Sequence, residues 1–306
     1  MPDYEVDAFQ DVFEHFGVHP TATRSCHPWA PVFRVESNGL PAVVKRTSTR
    51  TGGAIAAWCR GLAAAGIPVV VPLAGPSFVH GGAWVVYPWI EGRVYDGSAG
   101  DLVAAGDLLG RMHARRARGV GMAVFPWPDY SLVDPTDDLP ELHRLFASHV
   151  PEVAARLAAR LDPLARDFVA RTLPAVRDGA LPMVVGCMDF KAVNLVYAPA
   201  GPVLVDPDKA LRVPRVLDLA VAVLLFHDEV GDGVFGVEEW RVFRDAYLGR
   251  VELTEGERRV WPDALDYVLW EEGTWAMEVS TGWGDVRQRA FLVSLAGVSR
   301  GGFSLE

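Results

Sequence analysis

Aspartate, lysine and asparagine stand close together as Asp189, Lys191 and Asn194, and a further aspartate, Asp206, closes the apolar run Val203, Leu204, Val205. Transfer of a phosphoryl group from a magnesium nucleotide needs such a set. One carboxylate orients the attacking hydroxyl, while an amide oxygen and another carboxylate hold the metal ion. On this reading Asp189 is the catalytic base and Asn194 and Asp206 hold metal and nucleotide. Lys191 neutralises the transferring group as charge shifts in the transition state. A turn or capping role is the plain alternative for Asp189, since aspartate fills such places commonly. That alternative accounts for neither Asn194 nor Asp206. Lys191 has the alternative of a solvated surface lysine. Asp208 either supports a second ion or only arranges its loop.

Lys45 ends the apolar run Ala42, Val43, Val44, so a strand carries it inward beneath a nucleotide, where it pairs with the α- and β-phosphates. Val86, Tyr87 and Trp89 fall in the stretch 85–91, which fits an adenine-binding connection with backbone groups on the purine edge and apolar side chains about its ring. A simple linker with a tryptophan cap fits it nearly as well. Residues 25–30 form a turn over the phosphates, without the glycines of a G-x-G-x-x-G loop. His27 there reads as a packing residue, His113 as a core histidine, and Asp218 as a helix cap or loop brace. For the acceptor, Glu271, Trp275 and Glu278 share one side of a helix by their steps of four and three. Carboxylates beside an aromatic face bind ammonium groups. An amphipathic scaffold helix is the alternative, and Gly273 interrupts the run.

The elements that must position these groups fall into two halves. Residues 6–16 read as a helix ending at Gly17, and Asn38-Gly39 joins two strands as a hairpin. Residues 53–65 are an alanine-rich helix closed by Gly66, and a second hairpin crosses Gly81-Gly82. Beyond Gly97 the pattern turns helical, over 102–116, 139–147, 152–171, 216–226, 237–248, 263–279 and 286–295, with 126–140 as an ordered surface loop. Short strands near Val184, Leu195 and Val203 interrupt it and carry the chemistry on their connecting loops.

The 306 residues are half hydrophobic, enough for a sizeable core. A formal charge of −10 disfavours a phosphate-neutralising basic face, and so a nucleic-acid partner. It permits attraction of a cationic substrate. No apolar stretch is long enough for a membrane span, and the start has no secretory pattern. The three cysteines form neither a disulfide framework nor a close-spaced metal motif. These features lead us to expect a reduced, cytoplasmic protein.

At Asp189, Asn194 and Asp206 the chain resembles the aminoglycoside phosphotransferase and choline kinase family, within the protein-kinase-like fold. The family motif is His, any residue, Asp, four residues and Asn, then Asp near the end of a following strand. Lys45 resembles its nucleotide-anchoring lysine, Leu109 to His113 a helix of its larger lobe, and Asp218-Leu219-Ala220 the segment after its metal loop. The resemblance implies an α+β bilobal fold, with a small β-rich nucleotide-binding lobe over 1–91 and a larger, mainly helical catalytic lobe over 92–306. It implies ATP and Mg2+ as cofactors and a small-molecule hydroxyl acceptor, a natural product or antibiotic, cationic in one version. A Ser/Thr kinase of a ribosomally made peptide, with a companion protein, is the second reading, and a noncatalytic nucleotide-binding regulator the third. Three departures stand out. Cys187 replaces the histidine, the turn before Val32 lacks glycines, and the helix over 53–65 has no acidic residue for Lys45, leaving Glu36 or Glu91 as spatial substitutes.

Overall fold

The computed structural model describes residues 4–27, 30–115, 119–299 and 301–306. Pro28 and Trp29 of the turn before Val32, the first three residues, and the end of the 102–116 helix at Arg116 lie outside the described residues. A 3-10 turn at Val6–Phe9 leads into α1 (Gln10–Phe16), so the helix expected over 6–16 is α-helical only from Gln10; it stops at Gly17, whose φ of 61° is the left-handed cap that glycine adopts without strain. Strands β1 (His19–Pro20), β2 (Val32–Ser37), β3 (Leu40–Thr47), β4 (Ala74–Val79) and β5 (Gly82–Pro88) form one antiparallel sheet in the order β1-β2-β3-β5-β4. Asn38 and Gly39, at φ 52° and 77°, make the β2–β3 turn, the geometry that Asn-Gly favours because it matches the strands' twist. Helix α2 (Gly52–Ala64) packs beside β4.

Alternation along the strands gives this sheet two different faces. Phe33, Val35, Ala42, Val44, Trp84 and Val86 form a core with Phe9, Val12 and Phe13 of the N-terminal segment. Val85 and Tyr87 look the other way, onto Val70 and onto Val203 and Val205 from the C-terminal half. Lys45 pairs in register with Val85 and shares that inner face.

The rest is mainly helical: α3 (Ala99–Ala114), α4 (Leu139–His149), α5 (Ala154–Asp167), α6 (Leu173–Arg177), α7 (Arg215–Leu225), α8 (Val237–Leu248), α9 (Glu255–Val268), α10 (Thr274–Val279) and α11 (Val286–Ala296). Two short hairpin-like pairs sit among them, β6 (Met183–Gly186) with β9 (Leu211–Pro214), and β7 (Leu195–Ala198) with β8 (Gly201–Leu204). Helix α7 is buried from Val216 through Leu225 and forms the axis of the large core.

Several expectations needed correcting. The 126–140 loop ends in a helical turn at Pro135–Asp138, capped by Asp134, that leads into α4. The helix expected over 152–171 becomes α5, a wide π-turn at Phe168–Thr172, and α6; the turn falls just before Pro174, whose missing N–H breaks the ladder. The helix expected over 263–279 starts earlier, because Thr254 and Glu257 form a capping box ahead of α9. It is then interrupted by a second π-turn at Leu269–Gly273, where the Thr274 hydroxyl donates to the Trp270 carbonyl. Strand β9 was not expected, being four residues long and ended by Pro214.

Candidate active site

The loop that carries Asp189 leaves β6 at Gly186, and a buried carboxylate holds it. Asp218, on the first turn of α7 and fully buried, accepts the backbone N–H of Cys187 at 3.0 Å and of Met188 at 2.5 Å. His113 of α3 meets the same carboxylate through Nε2 at 2.7 Å and the Tyr247 hydroxyl through Nδ1 at 3.0 Å. The ring thus bridges the Asp218 carboxylate and the Tyr247 hydroxyl. Met188 has φ 53°, the left-handed region that non-glycine residues enter at a cost, and the Asp218 bonds hold it there. Gly186 leaves the room: a Cβ on it would sit 2.5 Å from Asp218 Oδ2. Asp218 is thus a loop brace and His113 a satisfied core residue, as the sequence indicated.

Asp189 and Asn194 are brought together. Asn194 Nδ2 donates to the Asp189 backbone oxygen at 2.9 Å, and the Val205 N–H donates to the Asn194 backbone oxygen at 2.9 Å. The second bond sets Asp206 beside the first loop. The Cys187 thiol donates to the Asp206 backbone oxygen at 3.9 Å, and burial pushes that thiol's pKa well above its ordinary value. Lys191 Nζ lies 2.7 Å from Asp228 and 3.7 Å from Asp189. Burial pulls its pKa down, and the two carboxylates more than reverse this, so the ammonium stays charged. It is a half-buried, paired lysine and not a solvated one.

Lys45 is tied to the loop that follows β8. Its Nζ lies 2.7 Å from Asp206 Oδ1 and 2.8 Å from Asp208 Oδ2, and neither Glu36 nor Glu91 takes part. Burial lowers its pKa and the two carboxylates outweigh that. Asp208 also accepts the Thr47 hydroxyl at 2.9 Å. Ahead of β2, the Ser25 hydroxyl accepts the N–H of His27 and of Val32, both at 3.0 Å.

Tyr87 points into the cleft beneath the sheet, with its hydroxyl pKa raised by burial and then by Asp208. Val86 turns its side chain to the outer core, and its backbone oxygen accepts from Leu73. Trp89 donates its backbone N–H to Pro41, with Arg34 stacked 4.3 Å over its ring. The structure does not unite the acceptor residues taken from the sequence. Glu271 is bonded to the Tyr130 hydroxyl at 2.7 Å, whereas Trp275, 54% exposed, and Glu278 lie outward. The π-turn advances the register by one residue, and Glu272 becomes the carboxylate within electrostatic reach of Lys209, Asp189 and Lys191. Burial raises its pKa. Sequence reasoning also missed Lys209, 3.6 Å from Asp189, and Asp228, which holds Lys191 and accepts from Gln288 at 3.0 Å. Burial raises the pKa of Glu229 beside it. These groups come from distant elements, and no local spacing announces them.

Among the described residues no group of three or more His, Cys, Asp or Glu side chains could hold a metal ion unaided. Magnesium fits that poverty, because it binds through one or two protein ligands and completes its shell with water and nucleotide phosphates. Asn194 commits its amide nitrogen to Asp189, which leaves the amide oxygen as the end a hard cation takes. Asp206 is the more exposed carboxylate of its loop, 40% against 17% for Asp208.

A family model described as the phosphotransferase enzyme family matches residues 29–261. Amicoumacin kinase hAmiN, solved with AMP-PNP and Ca2+, is 16% identical with a TM-score of 0.60, over 94% of this chain and 90% of its own. Macrolide 2'-phosphotransferase MphH from Brachybacterium faecium is 16% identical with a TM-score of 0.53, over 94% and 98%. Choline kinase LicA from Streptococcus pneumoniae is 13% identical with a TM-score of 0.52, over 94% and 98%. No curated protein sequence matches the chain. At these identities the likeness shows the fold, which is the bilobal protein-kinase-like α+β arrangement expected from the motifs.

Proposed function

The chain belongs to the phosphotransferase enzyme family, and from that premise we propose that it moves the γ-phosphoryl group of ATP to a hydroxyl of a small, amine-bearing natural product or antibiotic. The observation that carries this reading is the pair of bonds through Asn194, one to Asp189 and one from Val205, which seat the base loop beside the metal loop.

Residues 1–91 serve as the nucleotide lobe and 92–306 as the catalytic and acceptor lobe. Lys45, held over Asp206 and Asp208, is placed for the α- and β-phosphates, with Tyr87 on the cleft face beneath the sheet. Asn194 and Asp206 would hold magnesium, which would supply positive charge to the nucleotide's phosphates. Asp189 accepts the acceptor's hydroxyl proton while that oxygen bonds to the γ-phosphorus and the bridge to ADP breaks. Lys191 and Lys209, both within 4 Å of Asp189, face the charge that develops there. Glu272 and Glu271, with Tyr130, form the wall to which an ammonium group binds. No observation favours a peptide acceptor or a companion protein.

The test incubates purified protein with magnesium ATP and a panel of hydroxylated metabolites, matched in pairs with and without an amine, and short serine peptides. Mass spectrometry should find one added phosphate on an amine-bearing small molecule, and none with Asp189→Asn. Phosphate on the peptides, or on the neutral partners alone, would overturn the acceptor assignment.

A further inference from the structure

We propose that Asp208 is the positioning residue for Lys45, doing from the large lobe's loop what an acidic residue on the neighbouring helix would otherwise do, and is not a metal ligand. The inference rests on the nucleotide-anchoring role given to Lys45 above.

Helix α2 runs through Gly52–Ala64 with Arg60 as its one charged residue. Where this helix comes near Asp208 it presents Cys59, a fully buried thiol whose pKa is pushed up to about 12 by burial and then by Asp208 itself. Helix α2 therefore offers Lys45 no carboxylate. Asp208 offers one: its Oδ1 accepts the Thr47 hydroxyl at 2.9 Å, and its buried Oδ2, which has no hydrogen-bond donor of its own, lies 2.8 Å from Lys45 Nζ as an ion pair. Lys45 and Thr47 are two residues apart on one strand and so present to the same face. Asp208 grips both. Its side chain is only 17% exposed, so a cation reaching it would have to displace two short contacts.

The two carboxylates on Lys45 consequently have different fates. Asp206 is the exposed one, and a metal ion arriving there competes with the lysine for it. Asp208 stays with Lys45 throughout and keeps the ammonium from following Asp206. Lysine placement thus depends on the loop after β8, which also carries the metal ligand, and not on the orientation of α2.

Isothermal titration of ADP into the full chain, once in EDTA and once with magnesium, separates the possibilities. Asp208→Asn and Lys45→Met should each weaken ADP binding in EDTA about tenfold or more, the scale of one charged hydrogen bond. The double variant should bind no more weakly than Lys45→Met alone, because Asp208 acts through the lysine. Asp206→Asn should lose the gain that magnesium brings. Thr47→Val, a milder change that leaves the ion pair intact, should shift metal-free binding in the same direction by a smaller factor.

If Asp208→Asn and Thr47→Val bind ADP in EDTA as the wild type does, and Asp208→Asn loses only the magnesium increment, Asp208 is a metal ligand and the proposal fails. Losses that add fully in the double variant also defeat it. If instead Lys45→Met itself leaves metal-free binding unchanged, the anchoring role of Lys45 falls first and takes this one with it.

Discussion

The Cys187 thiol reaches the backbone oxygen of Asp206, so the residue standing where related motifs carry histidine still joins the loop after β6 to the loop after β8. Its burial is complete, as is that of Cys59, while Cys26 is exposed. Burial raises the pKa of both inner thiols, and the thiolate is the reactive form. Brief treatment of native protein with iodoacetamide near pH 8 should therefore label Cys26 and spare the other two. Peptide mapping reads this directly, and rapid labelling of Cys187 would refute its place in the core.

Gly186→Ala should damage the site from beneath. The new methyl would lie 2.5 Å from Asp218 Oδ2, and Asp218 is not a side chain that can yield, since Cys187, Met188 and His113 all hold it. A loss of about 1–3 kcal/mol in stability is the scale of such overpacking. Turnover should fall further than nucleotide affinity, because Asp189 lies on the displaced loop. Denaturant unfolding and steady-state kinetics check the two effects separately, and normal turnover in the Gly186→Ala variant would show that the loop does not need this brace.

Glu272 gives a prediction with a definite sign against pH. Burial raises its pKa above the ordinary 4.5. A carboxyl raised in this way lends stability that is fully present below 4.5 and is lost as pH rises through the folded value. At neutral pH the buried charge is a net cost, so Glu272→Gln should raise the melting temperature there and have no such effect below about pH 4. The same substitution should weaken amine-bearing acceptors more than neutral ones. Melting curves from pH 4 to 8 and paired acceptor kinetics test both halves; equal loss on both acceptors would mean a scaffold defect.

Lys191→Met removes a charge 3.7 Å from Asp189 and leaves Asp228 with Gln288 alone. Loss of a transition-state charge of this kind lowers kcat by about 10²–10³-fold. ADP affinity should hold, since the nucleotide's lysine is Lys45. A fall in affinity with kcat preserved would exchange the parts assigned to the two lysines.

Much of this arrangement is legible in the chain itself, and the remainder fails to show for physical reasons. The spacing of Asp189, Asn194 and Asp206 is readable because one loop and one hairpin carry all three. The Asn38-Gly39 turn is readable because both residues take the left-handed backbone that asparagine and glycine favour, whereas the second hairpin turns one residue earlier than Gly81-Gly82, on His80 and Gly81, with Gly82 already in β5. Lys45's partners are not, because Asp208 lies 163 positions away and no period connects it to β3. The faces of the 263–279 segment are hidden for a different cause. Steps of three and four presume an unbroken α-helix, and the wide turn at Leu269–Gly273 breaks that count.

That turn has a consequence for how such a protein diversifies. A helix that already accommodates one surplus residue can lose it, or gain another, without severing its hydrogen-bonded spine, and each change rotates everything downstream by about 100°. Deleting one position between Leu269 and Gly273 would swing a new set of side chains toward Asp189 while Asn194, Asp206 and Lys45 kept their places. Acceptor preference would then be rewritten by a single codon's insertion or loss, with the phosphate-handling parts untouched.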